Sequence, residues 1–322
     1  NIRRVVKIME DKFEAWTEHN ALDAKLRTIL PSQYAASYEE VCPVSMGSAP
    51  VKFDAQGRVA WDEMWGSFCD LAMAGGPPHR GTLLEPASQH QIEAQPDQHR
   101  AVVGEICRGI RMISSVAVEP SQNPGWVRLM CHLPGMTGWL LRAITIENVS
   151  AYYCQGDSIE LPAGPHYRVE KEIKNVITAV AKTTHYFEGH MSRFHQREIA
   201  TQFAQTEAAH PLIQAAVAGH GFDEESIRCS ASLASHRLAG VTALPMEKDG
   251  RYKCWIGLEC PTVRAAIWMM RAIMASNIVA RREGTILYLP INPVTDPQGE
   301  CVVDSFALVQ RLAVAQGAFA RR

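Results

Sequence analysis

The sequence predicts an α+β fold with two repeated β-β-α-β-β units, each carrying an antiparallel sheet, and additional helices around them. Three observations predict it. Two stretches of the chain match one another, the apolar period in each switches from strand-like to helix-like and back, and 47% of the 322 residues are apolar. That content fills more than one packed core.

The repeat comes first. Residues 126–162, WVRLMCHLPGMTGWLLRAITIENVSAYYCQGDSIELP, align with 255–290, WIGLECPTVRAAIWMMRAIMASNIVARREGTILYLP, with one residue deleted near the turn. Trp126 meets Trp255, Cys131 meets Cys260 and Trp139 meets Trp268; Arg142 meets Arg271, Asn148 meets Asn277, and Leu161-Pro162 meets Leu289-Pro290. About a dozen identities, where composition alone supplies roughly two or three, include rare tryptophan and cysteine.

Each copy reads as an apolar strand, a helix with apolar residues at three and four spacing, and two short strands around Gln155-Gly156-Asp157 or Glu283-Gly284. A further strand is expected before each copy, at 116–119 and at 241–244, joined through the turn signals Gln122-Asn123-Pro124-Gly125 and Glu247-Lys248-Asp249-Gly250. An amphipathic helix over 102–114 makes the first unit α-β-β-α-β-β. That order is a cyclic permutation of β-α-β-β-α-β, so each unit is expected to be a permuted ferredoxin-like sandwich, two helices over a four-stranded sheet. The helix opening the second unit falls in a serine-rich stretch, 224–240, that also allows partly extended backbone.

Outside the repeats, 2–30 reads as one or two helices and 61–74 as another, stopped by Gly75-Gly76-Pro77-Pro78. A long helix is expected over 169–191, with helices at 194–208, 211–218 and 304–318 and an exposed loop or short helix at 88–100. The expected regions are 1–100, helical with the GGPPHRG loop; 101–192, the first unit and long helix; and 193–322, a helical connector, the second unit and a C-terminal helix.

Charge excludes whole classes. The 32 basic and 34 acidic residues nearly balance, without blocks of one sign or the aromatic pattern of RNA-binding sheets, so neither nucleic acid nor a membrane is the expected partner. The most apolar helix, 262–277, carries two arginines and falls short of the roughly 20 residues a bilayer requires. Nine cysteines without a CxxC pair fit reduced thiols and a cytoplasmic location, and the opening residues lack a signal's apolar core. No phosphate-binding loop, dinucleotide fingerprint or serine-hydrolase elbow is present, so the cofactor is unknown.

Five features hold candidate chemistry. In the loop 75–81, glycines and prolines constrain the backbone around His79, a proton carrier near neutral pH, and Arg80, a grip for a carboxylate or phosphate. The plain alternative is a helix stop with two solvated polar residues. The loop 164–168 presents His166 and Arg168 at a helix start, as an anion site or simply a turn. Lys174, Thr178, Ala181, His185 and Glu188 form a stripe beside the apolar face of the long helix, with His185 and Glu188 as an acid-base pair or two metal ligands, while Lys182 is expected in solvent. In HYFEGH, 185–190, an α-helix at about 100° per residue turns His185 and His190 about 140° apart, so no metal site is expected. Arg142 and Arg271, equivalent in the two copies, either face a shared anion or anchor carbonyls.

Together these features describe an enzyme acting on a small anionic metabolite by acid-base chemistry, with catalytic His79, His185 and Glu188 and with Arg80, His166, Arg168, Lys174, Arg142 and Arg271 binding the substrate. The alternative is a non-catalytic ligand-binding, sensor or assembly protein. A homo-oligomer is compatible with either.

Overall fold

A computed structural model describes residues 2–30, 50–64, 72–154, 156–248 and 250–319. Gln155 and Asp249, in two of the expected turns, lie outside them. The fold is mixed α+β, with two small antiparallel sheets.

Helix α1 (Ile2–Ile29) buries Leu26, Ile29 and Leu30 against the body. The helix expected over 61–74 is represented by 3-10 turns at Trp61–Met64 and Ala72–Ala74, with 65–71 outside the described residues. The stretch 88–100 is helical. Ser88 and Gln91 form a capping box that starts α2 (Gln89–Ala94), and Pro96 opens α3 (Pro96–Ile113), whose Val102, Ile106 and Ile110 are buried.

The first sheet contains β1 (Ala117–Pro120), β2 (Trp126–Met130), β3 (Tyr152–Tyr153) and β4 (Ser158–Pro162) in the order β1-β2-β4-β3, with α4 (Met136–Ile146) between β2 and β3. After β4, α5 (Lys174–His185) is flanked by π turns at Val169–Ile173 and Tyr186–His190, and α6 (Arg193–Ala209) follows. The second sheet is β5 (Trp255–Glu259), β7 (Ile286–Pro290) and β6 (Arg281–Glu283), in that spatial order. Before β5 lies α7 (Glu224–Val241), capped by Asp223; between β5 and β6 lies α8 (Val263–Ala275); and α9 (Glu300–Ala315) follows β7.

The register is the same in both sheets where they correspond: Trp126 faces Pro162, and Trp255 faces Pro290. The strand expected at 241–244 is absent. Helix α7 runs through Val241, Pro245 has no N–H for a ladder, and one bridge from Met246 to Leu258 remains.

Residues 211–218, expected to be helical, are not. Ile213 instead bridges Ile278, its N–H donating to the Asn277 carbonyl at 3.0 Å and its own carbonyl accepting from Val279 at 2.8 Å. Leu84 bridges Val149 of the first unit in the same way, bonded to the Asn148 carbonyl at 2.8 Å and the Ser150 N–H at 3.0 Å. Pairing with a distant segment satisfies this backbone as well as a helix would. Asn148 (φ 59°) and Asn277 (φ 64°) take the left-handed conformation that closes α4 and α8, and their side-chain amides donate to the Arg80 and His210 carbonyls.

One apolar core runs through both units. The ends of α4 and α8 are tied across it: Arg142 Nη2 donates to Asn277 Oδ1 at 2.6 Å, and Arg281 Nη1 to Asn148 Oδ1 at 3.1 Å. Among the described residues, no helix is long and apolar enough to cross a membrane.

Candidate functional site

The GGPPHRG loop is held from beneath by buried cations. Arg271 Nε donates to the Met73 carbonyl and Arg282 Nη2 to the Gly76 carbonyl, both at 2.9 Å. Glu147, capping α4, accepts the N–H groups of Ala72 (3.1 Å) and His79 (2.7 Å) and the Lys182 ammonium (2.8 Å). His79 Nε2 lies 2.8 Å from Asn175 Oδ1 on α5. Burial is the main reason the His79 ring sits below its ordinary pKa; Glu147 opposes this and Lys182 adds to it.

Lys182 is 4% exposed rather than solvated. Helix α5 is lodged against both α3 and α4, so the face opposite its apolar stripe is also covered, and the lysine finds a buried carboxylate there. The cluster is satisfied internally. It fixes the loop, while Arg80, half-buried, turns to the Thr82 carbonyl at 3.2 Å.

Of the other expected site residues, Lys174 comes near this loop, where its charge helps to hold the His79 pKa down. His166 and Arg168 are exposed, and the Arg168 N–H donates to Glu172 at 3.0 Å. Lys174 is buried, which lowers its pKa. Arg142 donates to the Gly138 carbonyl at 2.8 Å and lies 4.2 Å over the Phe203 ring, and burial pushes its pKa down to about 10. Arg142 and Arg271 thus both bond to carbonyls. Glu188 accepts from Ser115 at 2.6 Å and lies 3.7 Å from His132. The rings of His185 and His190 touch, Nε2 to Nε2 at 3.2 Å. The 140° separation does not hold because 186–190 is a π turn, whose i→i+5 repeat brings the two together.

A cavity of about 520 Å3 opens between the two units. Leu83, Glu85, Pro86, Thr145 and Ser150 line it from one side, and Gln214 to Gly219, Phe222, Trp255 and Val279 from the other. Thr145 is 2% exposed, and its hydroxyl has no hydrogen-bond partner among the described residues. Glu85 stands exposed at the mouth, yet crowding by protein pushes its carboxyl up, against the pull of Arg281 and Arg251. Cys254 is pushed up to about 12, first by burial and then by Glu85 and Glu224, so it stays a thiol. Arg251 and Lys253 reach the same mouth. Sequence reasoning missed these residues. One signal was present: Thr145 is a polar residue at a helix position where the aligned stretch carries Met274.

A second polar cluster sits on the first sheet. Glu160 is fully buried and accepts from Ser121, from Asn123 at 3.0 Å and from Arg128 at 3.3 Å, with His220 Nε2 at 2.9 Å. Burial raises its pKa, but the bonds from His220, Ser121 and Asn123 outweigh this and bring it to about 2. Tyr152 and Trp126 enclose the His220 ring at 4.0 and 5.3 Å. No family model, curated protein or solved structure matches the chain.

Proposed function

We propose that the chain is an internally duplicated protein that binds a small anionic metabolite in the cavity between its two units. The observation that carries this reading is the Thr145 hydroxyl, buried without a partner among the described residues on the wall of a cavity that both units line. An orphaned buried hydroxyl costs stability, and a ligand oxygen or nitrogen would satisfy it. Arg251 and Lys253 supply positive charge at the mouth. Their present ion pairs, 3.4 Å to Glu283 and 3.0 Å to Glu224, leave both side chains at least half exposed and within reach of an anion.

The catalytic form of this reading rests on Glu85, whose raised pKa brings its proton exchange closer to neutral pH. Binding without covalent chemistry is the second reading, and it is favoured by Cys254, the cavity thiol, which is held protonated. His79, His185 and Glu188 are not among the residues that line this cavity.

Duplication is supported by the common strand-helix-strand-strand order, the matching register and the paired left-handed asparagines. The order β1-β2-β4-β3 supports a permuted ferredoxin-like first unit. Free thiols at the described cysteines support a reducing, cytoplasmic setting.

Native mass spectrometry of the purified protein tests the reading. An acidic molecule is expected to remain bound and to leave on unfolding, and Thr145→Trp, which fills the cavity, is expected to lose it while keeping its circular dichroism. If the parent carries none and takes up no carboxylate or phosphate from a panel, or if Thr145→Trp binds as well as the parent, the reading is wrong. Glu85→Gln then separates the two forms: lost turnover with retained binding marks catalysis.

A further inference from the structure

The geometry points to an exchangeable transition-metal site on the π turn after α5, in which His185 and His190 supply two imidazole nitrogens to one divalent ion such as Cu2+, Ni2+ or Zn2+. In an α-helix these residues diverge; the i→i+5 turn puts them on one face. Their Nε2 atoms are 3.2 Å apart, and with metal-nitrogen bonds of about 2.0–2.1 Å two such atoms subtend about 100–106° at the metal. That lies between the cis angle of a square-planar centre and the angle of a tetrahedral one.

The rings are positioned from below. Buried Trp139 stacks on Tyr186 at 5.9 Å and 10°, and Tyr186 stacks on His190 at 5.4 Å and 23°, so the histidine stands at the end of an aromatic ladder rooted in the core. This support reduces the freedom that a metal would otherwise have to freeze. Both rings are exposed at their outer edges and can turn their lone pairs onto a common ion.

No group of three His, Cys, Asp or Glu placed for a metal occurs among the described residues. Water therefore completes the coordination, which makes the site weak and open to exchange. Glu188, on the same turn and bonded to Ser115, adds negative charge nearby.

The test is titration of the full chain, free of any affinity tag, with each metal chloride alone, followed by calorimetry and tryptophan fluorescence. One equivalent is expected to bind more tightly than any further ones, with Cu2+ ahead of Ni2+ and Zn2+. The bound Cu2+ should quench Trp139 and show coupling to two nitrogens in its electron paramagnetic resonance spectrum. His185→Gln and His190→Gln should each weaken that equivalent by at least about tenfold, whereas His166→Gln, at another exposed histidine, leaves it unchanged. A parent that binds no equivalent, or single variants at 185 and 190 that bind as the parent does, would overturn the site.

Discussion

One row of residues crosses each sheet at the same register, and the two rows bury opposite charges. In the first sheet the row is Arg128, Glu160, Tyr152; in the second it is Gly257, Tyr288, Arg281. The first row buries an anion and surrounds it with hydrogen-bond donors from Ser121, Asn123 and Arg128 and with the His220 ring, its Nε2 2.9 Å away. The second buries a cation and satisfies it with ring faces: the Arg281 guanidinium lies 4.0 Å from Tyr288, 4.3 Å from Tyr252 and 4.9 Å from Trp255, with Glu283 at 2.7 Å. A common strand ladder thus sets where a side chain points but not which charge it bears. The loops decide that, one delivering His220 and the other Tyr252.

The largest expected effect is at Arg281. Arg281→Met removes the buried cation from the aromatic box and leaves Asn148 and Glu283 short of a partner, so urea unfolding should show a loss of about 3–5 kcal/mol. A loss under about 1 kcal/mol would mean that the box is incidental packing.

Glu160→Gln removes the opposite charge. The Glu160 carboxyl is depressed from 4.5 to about 2 in the fold. Its contribution, on the order of 3 kcal/mol, is therefore fully present above the ordinary carboxylate range and disappears as pH falls toward 2. The stability gap between parent and variant should close over that window, and a gap independent of pH would contradict the assignment.

Gly257→Ala sharpens the comparison at the position where the first sheet holds Arg128. A Cβ there would meet Glu247 Oε2 at 2.9 Å and Tyr288 Cε1 at 3.0 Å, so overpacking should cost about 1–3 kcal/mol. Unchanged stability would show that Glu247 simply swings away.

The smallest effect on folding is expected at Thr145, where the second unit has Met274. Thr145→Val keeps the shape and removes an unsatisfied hydroxyl, so the ligand-free protein should gain between zero and about 1 kcal/mol. The same variant should bind the cavity ligand less well. A clear loss of stability without ligand would reveal a partner for the hydroxyl.

The alternation of helix and strand was legible because it is written locally, in spacing and turn residues. The amphipathic helix at 102–114 became the body of α3. Local reading failed where distant backbone intervened: 211–218 has helix-compatible residues, yet Ile213 pairs with Ile278. It failed again at HYFEGH, where a π turn replaced the assumed α-helical angle.

By itself, then, the sequence determined the mixed fold class, the strand-helix-strand-strand order shared by the two stretches and the placement of Trp126 and Trp255 on strands and of Trp139 and Trp268 on helices, because apolar periodicity acts over a few residues. Only the tertiary structure decided the fate of the polar groups. His79 and Arg80 were legible as an unusual pair, but Glu147 draws the His79 backbone inward while Arg80 turns to its own loop. Lys182 looked solvent-facing until α3 and α4 closed around α5. The cavity, with Thr145 on one unit and Trp255 on the other, exists only where the two units meet. Buried polar groups choose partners by proximity in space and by the cost of leaving a donor or acceptor unpaired, and spacing along the chain does not encode that choice.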